Sequence, residues 1–383
     1  MIPAMILQFC LAVIIYTYIG YPLVLLFLAF FCPKRELPEM EDWPKISVLM
    51  AVHNEAERIH DAIRNNLENG YPHDKIELIV CSDGSTDDTN ALVQQYEDPR
   101  VRLAVSPEQI GVNEVVALGA KQATGDIFLL THAKAAFEPG AIQRLARLFA
   151  DPKMGVATGR ILYRNPLKSS VGSGYTAYWS IETRVRELES RLGIGVVVVG
   201  AFEMIRREAY LPVPSQYNND MIAPTYACSK GFRAGFDKDA LLVATQKKSP
   251  TEEFARRLRM AIRGWSSVPY TLSVIPFFSS LKCWFALISH KYLRWSTWAF
   301  MMGAFIANGL LWSFPVFRAL FILQVVFYAM AAAGWLLARM RIRIRLLSMP
   351  FYFCLLQVAG MVGLIQALCG KRLAVWKPVN PVD

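Results

Sequence analysis

Ile127-Phe128-Leu129-Leu130-Thr131-His132-Ala133-Lys134-Ala135 reads as a short buried strand that runs straight into a polar segment. Upstream, Leu78-Ile79-Val80-Cys81-Ser82-Asp83-Gly84-Ser85-Thr86 repeats the pattern, an apolar run ending in an acid and a turn. Ile46-Ser47-Val48-Leu49-Met50-Ala51-Val52, followed by His53-Asn54-Glu55, is a third. Helix-like stretches lie between them, at about 56–67, 88–97, 112–124 and 139–149, with a shorter strand at Arg102-Leu103-Ala104-Val105. Strands alternating with helices imply an α/β fold with a mostly parallel sheet and flanking helices. Ligands of such sheets sit at the carboxyl ends of the strands, where His53-Asn54-Glu55, Asp83 and His132 with Lys134 all fall.

Outward from this core the composition changes. The 383 residues are 54% hydrophobic and 19% charged, below the roughly 25% charge of a soluble domain. The apolar excess is concentrated at about 4–32 and 277–370, so a soluble-type domain is strung between membrane segments. Residues 1–33 are too long, and lack the cleavage-site pattern, for a removable signal peptide, and read as a transmembrane anchor. A proline-punctuated linker at 33–44 leads to the domain at 45–265. Residues 275–294 mix aromatic residues with Lys282, His290 and Lys291 and read as an interfacial amphipathic helix. Transmembrane helices are expected over 295–370, at about 296–313, 315–338 and 348–369, with a tail at 371–383.

The formal net charge of +10 does not point to nucleic acid, because much of it flanks the apolar spans at Lys34-Arg35, Lys291, Arg294 and the Arg-rich loop 339–345. The positive-inside rule places the 45–265 domain in the cytoplasm, and the chain is expected to be a multi-pass protein of the inner membrane. Four spans would put the basic tail outside, against that rule, so the side of the C-terminus stays open. The seven cysteines show no CxxC and no zinc-type spacing, and read as buried apolar residues in a reducing compartment.

The chain resembles the membrane-bound family 2 glycosyltransferases, which have a GT-A fold. The matching pieces are Ile46 to Glu55, Asp83 to Asp88, Gly125 to Thr131, Asp151-Pro152 to Gly159 and Tyr178 to Gly193. They continue through Gly200-Ala201-Phe202 with Ile205-Arg206-Arg207, Asn219-Asp220, Glu253 to Arg259 and Ser289 to Trp295. The resemblance implies transfer of a sugar from a nucleotide-sugar donor, a UDP-sugar above others, to a lipid or glycan acceptor in cell-surface polysaccharide or glycolipid synthesis. It implies Mg2+ or Mn2+ as well, held by a Thr-Asp-Ala-Asp or Thr-Asp-Ala-Asn motif. In this chain His132 and Lys134 stand where that motif has its acids, so no metal ligands are expected. The donor-site positions Val112-Asn113 and Ala117-Leu118-Gly119 also depart from the family.

By the same resemblance Asp83 reads the uracil; otherwise it caps a turn. Asn54 and Glu55 would line the nucleoside pocket, unless Glu55 is only a first-turn carboxylate. Asp220 matches the general base that takes the acceptor hydroxyl's proton in an inverting transfer; as a loop residue it would merely shape a turn. Arg256, Arg257 and Arg259 resemble a diphosphate-binding cluster, and an Arg-rich helix before a membrane also serves as a headgroup-facing surface. A cation with two carboxylates sums to about zero formal charge, whereas Lys134 with a neutral His132 gives about +1, which admits metal-free handling of the diphosphate. Two functions follow. One is an active transferase with Asp220 as base and His132 and Lys134 at the donor. The other is a catalytically silent subunit that scaffolds or regulates a partner synthase or export protein.

Overall fold

The computed structural model describes residues 1–32, 40, 42–164, 172–245, 250–340, 342 and 344–373. Most of the expected linker, Arg341 and Arg343 of the basic loop, and the tail beyond 373 lie outside the described residues.

Eight strands form one sheet: β1 Ile46–Val52, β2 Ile76–Asp83, β3 Val101–Ser106, β4 Ile127–His132, β5 Ala136–Phe137, β6 Met154–Arg164, β7 Glu203–Arg206 and β8 Arg233–Thr245, in the order β3-β2-β1-β4-β7-β6-β8-β5. The first four pair in parallel, as expected. Beyond β4 the sheet is mixed: β7 is antiparallel to β4 and β6, β8 is parallel to β6, and β5 is antiparallel to β8. Every residue of β1 and β2 is buried, which explains their near-continuous apolar text, since a parallel strand is covered on both faces.

Helices Ile59–Leu67 and Ala141–Ala146 cover one face, packing Ile63 and Leu145 on Val48, Met50 and Leu129. Helices Val112–Ala120 and Asn219–Ser229 cover the other, packing Val115 and Ala223 among Leu49, Phe128, Leu130 and Ile205. The second face carries Glu203, Asn219 and Asp220.

Among the described residues, three helices are long and apolar enough to cross a membrane: Ile2–Phe30, Pro315–Arg339 and Arg345–Leu368. The expected span at 296–313 is not among them. Its helix, Leu293–Leu310, opens on Arg294-Trp295-Ser296-Thr297-Trp298 and carries Asn308 near its end, which lowers its hydropathy. It continues directly from helix Leu281–Leu287 through a π-helical turn, Ile288–Tyr292. The expected amphipathic segment is therefore two-sided: Trp284, Leu287 and His290 are buried, while Phe278 (87% exposed), Leu281, Phe285 and Ile288 form an exposed apolar edge.

Helix Arg345–Leu368 runs alongside helix Pro250–Ser266. Arg257 hydrogen-bonds Tyr352 near one end, Gly363 abuts Ala261, and the Ser266 hydroxyl donates to the Lys371 carbonyl at the other. The start of the tail is thereby fixed beside Ser266.

Candidate donor and acid–base site

The carboxyl ends of β1 and β2 are tied together by polar contacts. His53 Nδ1 meets the Asp83 carbonyl at 2.7 Å, Thr86 N donates to Asn54 Oδ1 at 2.8 Å, and Glu55 N donates to Thr89 Oγ1 at 2.9 Å. Asn54 adopts a left-handed conformation (φ 53°), which asparagine tolerates better than most residues, and this aims its amide across the cleft. Asp83 is buried and accepts from the backbone of Ile110 (2.7 Å) and Gly111 (3.0 Å). Its carboxylate thus fixes the loop before helix Val112–Ala120. Asn54, Glu55 and Asp83 lie together at the ends of β1 and β2, with their side chains largely engaged in local contacts.

Lys134 Nζ lies 2.8 Å from Glu55 Oε1, and Arg58 Nε lies 3.2 Å from Glu55 Oε2. Glu55 is 5% exposed and Lys134 40%. His132 ends β4 with its Nδ1 covered and, among the described residues, without a hydrogen-bond partner. Burial, with Lys134 nearby, pushes its pKa down to about 4, so the imidazole is neutral at neutral pH. Glu55 is shared by Lys134 and Arg58, so the three groups together still carry +1.

This neutrality has a stability signature. An unfolded histidine titrates near 6.5; between there and about 4 the unfolded chain takes up a proton that folded His132 refuses. His132 therefore contributes stability above about pH 6.5 and loses it as pH falls through its folded value, a difference of about 3 kcal/mol. The denaturation midpoint of His132→Asn should fall less than that of the wild type between pH 7 and 4.5. Parallel curves for the two proteins would disprove the neutral imidazole.

Asp220 lies in the first turn of helix Asn219–Ser229, and its carbonyl accepts from Val198 N at 3.0 Å. A β-carbon on Gly200 would overlap the Asp220 carboxylate, so glycine there lets the chain pass over the acid. Burial raises the Asp220 pKa; Arg263, Lys291 and Arg186 pull it back toward the charged form. None of these three cations was expected from the sequence, and neither was Glu203, fully buried, whose Oε2 accepts from Asn219 Nδ2 at 3.2 Å. Glu203 could have been found as the lone acid in the apolar text from Val196 to Ile205, since a buried acid needs a polar partner.

The expected arginines divide. Arg256 and Arg257 both close on Glu253 at 2.8 Å, and Arg257 also donates to Tyr352 and faces Trp179. The two cations outweigh burial and hold the Glu253 carboxyl down at about 2. Arg259, partly buried, has its pKa lowered by burial and by Arg263 and Arg256 on the same helix. Arg263 donates to the carbonyls of Ser215 and Tyr217 and so stands beside the Asp220 helix.

Residues 47–211 match the family described as Glycosyl transferase family 2. An N-acetylglucosaminyltransferase from Mesorhizobium japonicum is 24% identical over 58% of this chain and 57% of its own length. A poly-beta-1,6-N-acetyl-D-glucosamine synthase from Staphylococcus aureus is 27% identical over 65% of this chain and 60% of its own. A mannosyltransferase from Pyrobaculum calidifontis, solved in complex with GDP-Man and Mn2+, superposes with a TM-score of 0.68 at 20% identity, covering 96% of this chain and 99% of that one. Over residues 47–211 the chain is thus similar to the family 2 glycosyltransferases. Its fold is GT-A, and its relatives include polysaccharide synthases, although it spans only about three fifths of the curated relatives' length.

The β4 end has a donor set unlike the acid-bearing motif of the family it resembles. Among the described residues no group of three or more His, Cys, Asp and Glu side chains could hold a metal ion. The only ionised group that the 132–134 segment contributes is the Lys134 ammonium, which repels a cation. These residues do not fit a divalent metal.

Proposed function

We propose that this chain transfers a sugar from a nucleotide-sugar donor, a UDP-sugar above others, to a lipid or glycan acceptor, inverting the anomeric centre and using no divalent metal. The product belongs to cell-surface polysaccharide or glycolipid. The observation that carries this reading is Asp220, a half-buried carboxylate on the second face of the sheet with Arg263, Lys291 and Arg186 bearing on it. Its role is to take the acceptor hydroxyl's proton as that oxygen attacks the anomeric carbon and the bond to the diphosphate breaks. Asn54, Glu55 and Asp83 shape the nucleoside cleft, and Lys134 and His132 stand at the diphosphate. Arg259, Arg256 and Arg257 supply positive charge along helix Pro250–Ser266. The three apolar helices support a multi-pass inner-membrane protein with this domain in the cytoplasm, its exposed Phe278–Ile288 edge at the interface.

A second reading, a silent subunit of a partner synthase or export complex, is favoured by one observation: the Lys134 ammonium is already engaged by Glu55, beside a neutral His132. Thermal shift of the detergent-purified protein with UDP-sugars, in EDTA and in Mn2+, separates the two. The expected result is donor stabilisation that EDTA leaves unchanged and that weakens about 10- to 100-fold in apparent affinity in Lys134→Ala, the equivalent of one charge-assisted contact. A protein unmoved by every nucleotide sugar belongs to the second reading. Stabilisation only in Mn2+ ends metal-free donor binding.

A further inference from the structure

Two buried polar atoms on the Asp220 face stand without a hydrogen-bond partner among the described residues: Glu203 Oε1 and His132 Nδ1. They face the same way. β4 pairs antiparallel with β7 so that Leu130 lies opposite Glu203, and His132 is two residues beyond Leu130 on the same face. Diagonal neighbours of this kind sit about 7–8 Å apart at the backbone, which two long polar side chains can span with one water between their tips. The other Glu203 oxygen, Oε2, is already held by the Asn219 amide.

We propose that Glu203 is a neutral carboxylic acid that positions Asp220 through Asn219, and that its second oxygen is joined to His132 through one buried water. The chemistry of the two orphan atoms is complementary: a protonated Oε1 is a donor, and a neutral imidazole offers Nδ1 as an acceptor.

The charges around the pair assign the proton. Two close carboxyls, one of them fully buried, do not both ionise readily. Asp220 has Arg263, Lys291 and Arg186 bearing on it, whereas Glu203 has the like charge of Asp220, with the Tyr210 hydroxyl also near. Burial and Asp220 together drive the Glu203 carboxyl well above its ordinary range. The negative charge therefore settles on Asp220 and the proton on Glu203. Anchoring the Asn219 amide then fixes the first turn of helix Asn219–Ser229, and with it the direction of the next residue, Asp220. In this arrangement the His132 that replaces a family acid is a hydrogen-bond terminus for Glu203.

The catalytic meaning of this pair rests on Asp220 being the base. Its protonation does not, so the decisive readout needs no turnover. Infrared difference spectra of the full-length protein in nanodiscs at pH 7, wild type minus Glu203→Gln, should show one protonated-carboxyl C=O band lost. The same band should persist but shift in frequency in His132→Ala, and remain in place in Arg64→Ala. Because the unfolded chain alone loses this proton above about pH 4.5, Glu203→Gln should also gain in folding equilibrium constant over the wild type by about tenfold per pH unit above that value. No band lost in Glu203→Gln, or a stability gap that does not change with pH, overturns the neutral acid. A band indifferent to His132→Ala overturns the water link. Should Glu203→Gln not fold, the wild-type band and its shift in His132→Ala still decide. A protein that binds no donor but shows these bands loses its proposed activity and keeps this inference.

Discussion

Replacing Glu182 by alanine should cost about 3–5 kcal/mol of stability, a large part of what a protein of this kind possesses. Glu182, on helix Gly172–Leu192, is 1% exposed. Its carboxylate accepts from His290 Nε2 at 3.0 Å, Arg294 Nη1 at 2.6 Å and Arg186 Nε at 3.3 Å, with Lys291 Nζ at 3.7 Å. Burial favours its protonation, but His290, Lys291 and Arg294 outweigh burial and hold it well below the usual carboxylate range. Two turns along the same helix, Glu189 Oε1 accepts from His290 Nδ1 and from the Tyr21 hydroxyl, each at 2.6 Å. The cluster thus joins the first apolar helix, helix Gly172–Leu192 and the π-helical turn Ile288–Tyr292. Removing Glu182 strands Arg186, Lys291 and Arg294 without their shared counter-charge, and the desolvation of these largely buried cations is the main loss. The exposed pair Arg64–Asp61, at 3.9 Å, is the control: Arg64→Ala should change stability by about 0.5 kcal/mol or less. Denaturant midpoints measured in one detergent would compare the two. A Glu182→Ala protein within about 1 kcal/mol of wild type would mean that the cluster is solvated and that its cations do not bear on Asp220 as described.

How much of this could be read from the letters follows from the range of the interactions. The strands β1, β2 and β4 were legible because burial on both faces leaves unbroken apolar runs, and their acid or polar ends were legible because parallel strands deliver ligand-facing residues at one edge. The mixed half of the sheet was not. β6 lies between β7 and β8, and that order is set by pairings across dozens of residues that no local period records. Helix Leu293–Leu310, expected as a span, falls short of the other three in hydropathy because polar residues open it, and its apolar middle outweighs them by eye. Among site residues, Asp220 was found by resemblance, but its environment was not. Arg186, Lys291 and Arg263 come from three distant segments and meet only through tertiary packing. Lys134 was legible as a charge just past the end of β4; its engagement with Glu55, nearly eighty residues earlier, was not.

Asp220→Asn, finally, should lower turnover about 10²- to 10⁴-fold, the usual contribution of a positioned general base, while leaving donor stabilisation intact. Asparagine keeps the size of the side chain and the backbone bond from Val198 N, and Gly200 still lets the chain pass over it. What it removes is the proton acceptor. The pH dependence follows from the same surroundings. Burial raises the Asp220 pKa, and only the ionised form accepts a proton, so activity should fall on acidification at a pH above the ordinary aspartate range. Arg263, the largest opposing influence, can be removed without touching the acid, and in Arg263→Ala the acid limb should move further up. Glu182→Gln should move it through the other route, since Lys291 and Arg186 are both held at Glu182. Two measurements settle the assignment: single-turnover rates of Asp220→Asn, and the pH profile of turnover in Arg263→Ala. Turnover in Asp220→Asn within about tenfold of wild type would remove Asp220 as the base. An acid limb unmoved in Arg263→Ala would show that some other group titrates.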